Sequence, residues 1–143
     1  MPGRLTATLN QEGLSTSKAT VRQHTVFVDR PTAKGGADRG PAGGEYILVG
    51  LGGCFTSHLL ASIAARQADI GGISVSVSGT LAGTPERFTA FELIVSAASG
   101  DLDTLSHLVA LAEQTCQVTS TLKLAAPVTV KVAASSEQTA VRG

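Results

Sequence analysis

Glu45-Tyr46-Ile47-Leu48-Val49-Gly50-Leu51-Gly52-Gly53-Cys54-Phe55-Thr56-Ser57-His58-Leu59-Leu60-Ala61-Ser62-Ile63-Ala64-Ala65 decides how this chain is built. From Tyr46 to Ala65 the only strongly polar side chain is His58. The run is close to the roughly 20 residues a membrane span needs. Its centre argues against that use. Gly50, Gly52, Gly53, Cys54, Thr56, Ser57 and His58 sit there, and no basic cluster flanks one side. A helix apolar all round belongs in the middle of a soluble fold. The run therefore predicts a central helix over Glu45–Ala68, in a chain too short to cover it alone, so that a second subunit helps to bury it.

The flanking sequence reads as strands. Upstream, Leu5, Ala7 and Leu9 alternate with Arg4, Thr6 and Thr8, and Val26 and Val28 follow a polar stretch rich in Ser and Thr. Downstream, Ile73, Val75, Val77 and Leu81 alternate with Ser74, Ser76, Ser78 and Thr80. Phe91, Leu93, Val95 and Ala97 form the next alternation, across a turn at Thr84-Pro85-Glu86. Leu105, Val109, Ala112 and Cys116 fall on one face of a second helix, which Asp101 or Asp103 caps. Val128, Val130 and Val132 close the sheet. Strands, long helix, strands, helix, strand is an α+β order, here read as one domain over residues 1–143.

Composition narrows the function. The 11 Lys and Arg balance the 11 Asp and Glu, so there is no electrostatic case for nucleic acid or an acidic membrane. Met1-Pro2-Gly3-Arg4-Leu5-Thr6 has no apolar stretch of the secretory kind, so the expected location is cytoplasmic. In that reducing setting the chain's 2 cysteines, Cys54 and Cys116, read as catalytic, redox-sensing or metal-binding rather than structural. One thiol on each helix suits a redox pair, in which one attacks an oxidant and the other resolves the product as a disulfide. Cys54 and His58 are also spaced i, i+4, which suits two metal ligands, with Cys116 as a candidate third. A third reading makes Cys54 a small buried side chain packed beside Gly52 and Gly53. Glu45 suits the positive end of the long helix.

The segment Arg30-Pro31-Thr32-Ala33-Lys34-Gly35-Gly36-Ala37-Asp38-Arg39-Gly40-Pro41, followed by Glu45 and the Gly52-Gly53-Cys54 run, resembles the OsmC/Ohr superfamily of osmotically induced and organic-hydroperoxide-resistance proteins. Cys116-Gln117-Val118-Thr119-Ser120-Thr121-Leu122-Lys123 is similar to that family's second cysteine segment. The resemblance implies an intertwined homodimer whose sheets wrap a pair of central helices. It also implies a thiol peroxidase that takes organic hydroperoxides and is restored by an external dithiol of the lipoyl type, without a bound cofactor or metal. Cys54 would be the peroxidatic thiol and Cys116 the resolving one. A glutamate and an arginine would hold the thiolate, here Glu45 and Arg39, with Arg22 and Arg30 as the other arginine candidates.

The chain departs from the peroxidase pattern in three places. Gly43 and Gly44 stand where the peroxidases carry Pro-Glu, and Gln117 stands where they carry proline. Glu45 is one residue closer to Cys54 than the peroxidase glutamate, a turn of about 100° on a helix. Its spacing matches a less characterised OsmC-like branch. Two functions follow as expectations. One is the peroxidase, with Val49, Leu51 and Phe55 near Cys54 favouring an apolar substrate tail. The other is a non-enzymatic dimer of the same fold that binds a small apolar ligand or senses oxidants.

Overall fold

The computed structural model describes residues 3–134. They form two compact units, one ending at Ile47 and the other beginning at Leu48. The first contains β1 (Thr8–Gln11), β2 (Ser17–Val21) and β3 (His24–Val28), which pair antiparallel in that order. Their register runs from Thr8 opposite Thr20 to Ser17 opposite Val28. β2 pairs on both edges although it reads as a polar stretch; of its five side chains only Ala19 is buried. The expected strand at Leu5–Leu9 begins instead at Thr8, where the pairing with β2 begins, and Leu5 is 88% exposed.

Asp29 organises the loop that follows β3. Its carboxylate accepts the Thr16 hydroxyl at 2.6 Å and the N–H groups of Arg30 and Arg39 at 2.7 and 3.2 Å. The Thr16 bond, with those from Ser15 and the Arg39 and Arg30 backbone, outweighs burial and holds this carboxyl well below the usual carboxylate range. Gly36 is forced by the same turn: a Cβ there would run into the Arg30 carbonyl.

The boundary between units falls inside the first helix, α1 (Gly43–Ala65). After it come β4 (Gly71–Ala82), β5 (Arg87–Ser99), α2 (Leu102–Thr115), α3 (Gln117–Leu122) and β6 (Val128–Val132). β4 and β5 pair antiparallel across the expected turn, and β6 adds parallel to β5, so the sheet order is β4-β5-β6. A parallel neighbour requires a crossover, which α2 and α3 supply. Leu51, Phe55 and Leu59 of α1 are fully buried in one core with Leu93 and Val95 of β5 and Leu105 and Leu108 of α2. Each such side chain contributes about 1.5–3 kcal/mol by leaving water. Gly52 lets α1 lie close to β4, since a Cβ there would stand 2.7 Å from a Val77 methyl.

The described residues leave much of the long helix uncovered. Only 22% of its most apolar window is buried, and Val49 and Leu60 are 59% and 50% exposed. By length and composition alone α1 could cross a membrane; the packing of Leu51, Phe55 and Leu59 into a helix-and-sheet core is that of a folded domain's helix. Its exposed side borders a groove of about 630 Å³, lined by Leu48, Val49, Gly52, Gly53, Thr56 and Leu60 of α1 and by Val75 and Val77 of β4.

Candidate functional site: a thiol pair

Cys54 and Cys116 reach the same place by different routes. Cys54 sits in the middle of α1, half-buried, one residue before the core side chain Phe55. Cys116 is fully buried, as its place on the apolar face of α2 predicts, yet it is not a helical residue. α2 stops at Thr115, and Cys116 is extended, with φ −71° and ψ 116°. It closes α2 by donating its N–H to Ala112, and it opens α3 as the N-cap. No glycine or proline marks this break. The Thr115 hydroxyl, 3.1 Å from the Leu111 carbonyl, binds back onto the last turn of α2. This second break, and with it α3, corrects the expectation of one helix running to Cys116.

At the N-cap the sulfur takes the role that a serine or aspartate oxygen usually fills. It accepts the Thr119 N–H at 3.4 Å. Thr119 is itself fully buried, and its hydroxyl has no hydrogen-bond partner of ordinary geometry among the described residues. That hydroxyl stands near enough to the Cys116 sulfur to favour a negative charge there. Cys54 packs against the core that holds Cys116, and each thiol acts on the electrostatics of the other.

The pair is electrostatically lopsided. Burial pushes the Cys54 thiol up; the Val118 N–H opposes it, the neighbouring Cys116 pushes it further up, and the Gln117 N–H gives a smaller relief. Burial also acts upward on Cys116 as its largest single influence. It is outweighed by the hydrogen bonds from the Thr119 side chain and backbone, from Cys54 and from the Val118 N–H, so Cys116 lies below the ordinary thiol range. Thr119 is the site residue that the sequence reading missed. Its signal is the spacing Cys116-x-x-Thr119, which is N-cap to N3 of a helix.

The other candidate residues are engaged as follows. His58 is one turn beyond Cys54 on α1, and its Nδ1 lies 3.3 Å from the Thr115 hydroxyl. Among the described residues no group of three or more His, Cys, Asp or Glu side chains stands close enough to hold a metal ion. Glu45 and Arg39 belong to the first unit. The Glu45 carboxylate accepts the Ala42 N–H at 2.8 Å and so caps the first turn of α1. The Arg39 guanidinium lies 4.7 Å from the centre of the Phe27 ring and donates to the Glu12 carbonyl at 3.4 Å. Arg30 donates its backbone N–H to Asp29, and Arg22 sits at the β2–β3 turn with a positive φ of 54°. Leu51 and Phe55 are core rather than pocket: both are fully buried, so they are not available to a substrate tail, whereas Val49 lines the groove.

Comparison with known proteins agrees with this architecture. The chain matches the family described as OsmC-like protein over residues 35–131. No curated protein matches it. Among solved structures, an OsmC-like protein from Mycoplasma pneumoniae superposes with a TM-score of 0.81 at 18% identity, covering 94% of this chain and 99% of that one. An organic hydroperoxide resistance protein from Elizabethkingia anophelis gives 0.72 at 18% identity, covering 94% and 98%. An organic hydroperoxide resistance protein of Bacillus subtilis gives 0.68 at 17% identity, covering 90% and 98%. At these identities the likeness is one of fold.

Proposed function

Because the chain belongs to the OsmC-like protein family, we propose that it is a thiol peroxidase that reduces organic hydroperoxides, with Cys54 as the attacking thiol and Cys116 as the resolving one. The observation that carries this reading is that half-buried Cys54 packs against the core holding fully buried Cys116, each thiol acting on the other's electrostatics. The more accessible sulfur meets the peroxide, and the buried one waits beside it. Two solved relatives of the same fold are named for organic hydroperoxide resistance. A thiolate attacks the O–O bond, an alcohol leaves, and the sulfenic acid on Cys54 condenses with Cys116 to a disulfide. An external dithiol, of the lipoyl type in the family, then reduces that disulfide by exchange.

The working form is a cytoplasmic homodimer of a single OsmC-like domain over residues 1–143. Exposed Val49 and Leu60, beside the apolar groove, are the surface that a second copy covers. Glu45 and Arg39 remain candidates for orienting the peroxide. One equivalent of cumene hydroperoxide added to the reduced protein should produce an intramolecular Cys54–Cys116 disulfide, read by intact mass and peptide mapping without reductant. Oxidation that leaves Cys116 as a free thiol would refute the two-cysteine mechanism.

A further inference from the structure

Beside the two thiols runs a short chain of hydrogen bonds that neither sulfur takes part in. Thr115, the last residue of α2, stands immediately before Cys116, and its hydroxyl donates to the Leu111 carbonyl at 3.1 Å, with the Ala112 carbonyl at 3.4 Å. The same oxygen lies 3.3 Å from Nδ1 of His58, which is on α1 one turn beyond Cys54. A hydroxyl has a single proton to give. That proton goes to the end of α2, so the bond to His58 carries its hydrogen on Nδ1, and the Thr115 oxygen accepts it. Donation therefore runs from His58 to Thr115 to Leu111, out of α1 and into the last turn of α2. One end of this chain is a helical turn from the first thiol, and its middle adjoins the second.

A disulfide closes only where the two Cα atoms come within about 7 Å and the side chains converge. Cys54 is held by the ladder of a long helix. Cys116 is not: it sits at the break between α2 and α3 with φ −71° and ψ 116°, and the six residues of α3 are too few to fix that break alone. The Lys123–Glu113 ion pair at 2.7 Å ties the end of α3 to α2, but both partners lie on the Cys116 side. The bond from His58 to Thr115 is what reaches across to the helix of Cys54. We propose that this bond is a brace that keeps the Cys116 break within disulfide-forming reach of Cys54, which makes His58 and Thr115 positioning residues for closure of the pair. The brace is made before the disulfide is, so closure does not have to order the break. The inference rests on the two-cysteine part of the proposed function and on no particular oxidant.

Equilibration of the full chain with mixtures of glutathione and glutathione disulfide tests this without hydroperoxide. Each glutathione disulfide takes two electrons and two protons from the cysteine pair and leaves as two glutathione thiols. The Cys54–Cys116 disulfide, counted apart from mixed disulfides by intact mass after quenching and alkylation, gives the equilibrium constant for closure. His58→Leu and Thr115→Val should each lower that constant about three- to fivefold, the size of one net hydrogen bond between neutral groups. The double variant should fall no further than either single one, because the two residues make one bond. His58→Asn should restore closure, since its amide N–H takes the place of Nδ1–H, whereas the amide of His58→Gln sits where Nε2 does and should not. Thr115→Ser, which keeps the hydroxyl, should close like the wild type. Circular dichroism checks that each variant is folded. Closure in His58→Leu and Thr115→Val equal to wild type would overturn the brace, as would additive losses in the double variant or rescue by glutamine as good as by asparagine. A wild type that forms no disulfide at any glutathione ratio would overturn the brace and the two-cysteine mechanism together. If the wild type closes and the variants respond as described, yet hydroperoxide is not consumed, the peroxidase reading fails and the brace stands.

Discussion

Cys54 and Cys116 carry the same side chain into opposite surroundings. Cys54 lies mid-helix, half-buried. Cys116 lies at a helix break, fully buried, where the backbone N–H of Thr119 has no intrahelical carbonyl to serve and turns to the sulfur. The difference shows that secondary structure decides how many backbone N–H groups a buried sulfur can draw on. Burial works against both thiols, yet only the one at the break is compensated. Exposure decides a separate matter, namely which sulfur an oxidant can reach.

The most severe way to break the comparison is to remove the accessible sulfur. Cys54→Ser should reduce hydroperoxide consumption to background, because the remaining sulfur is buried. Loss of less than half the activity in a coupled dithiol assay would show that access is not what distinguishes the two. Removing the buried sulfur should do something different. Cys116→Ser should permit a single slow oxidation per chain and then stall, with sulfinic acid accumulating on Cys54 in the mass spectrum. Sustained turnover in that variant would make Cys116 dispensable.

A smaller effect separates packing from chemistry around Cys54. Phe55 is fully buried against the sheet, so Phe55→Ala should cost about 3–5 kcal/mol in urea unfolding. Val49→Ala, at a position 59% exposed in the single chain, should barely change the stability of one protomer and should instead weaken dimerisation in light scattering. Equal unfolding penalties for the two would contradict the core and surface roles given to them.

The smallest effect belongs to the first unit. Asp29 has its folded-state pKa lowered, chiefly by Thr16. A lowered carboxyl stabilises the fold above its unfolded value of about 3.9 and loses that contribution as pH falls through the folded value. Asp29→Asn should therefore melt below wild type from neutral pH down to about pH 5, with the gap closing only in strong acid. A gap that widens with acidity would reverse the sign assigned to this carboxylate.

Much of the second unit was legible in the sequence. Ile73, Val75 and Val77, and then Phe91, Leu93 and Val95, alternate because one face of β4 and β5 packs on helices, and period-2 patterning records that directly. The long helix was legible from its unbroken apolarity, and the family from the two cysteine segments. β2 was not, because its pairing is carried by the backbone while Ser17, Lys18 and Thr20 give no apolar signal. The break at Cys116 was not, because a sulfur N-cap and a Thr115 hydroxyl do there what glycine or proline usually announces. The Thr119 N–H contact to the Cys116 sulfur escaped for the same reason: it depends on which N–H groups are free, and apolar periodicity does not report that.

Stopped-flow mixing of the reduced wild-type protein with excess cumene hydroperoxide tests the central claim most directly. Thiol loss should follow a second-order rate constant well above that of dithiothreitol, and above that of the same protein with hydrogen peroxide. A rate no faster than the free dithiol would contradict it, and would leave the thiol pair as a sensor or the groove as a ligand site in place of a peroxidase.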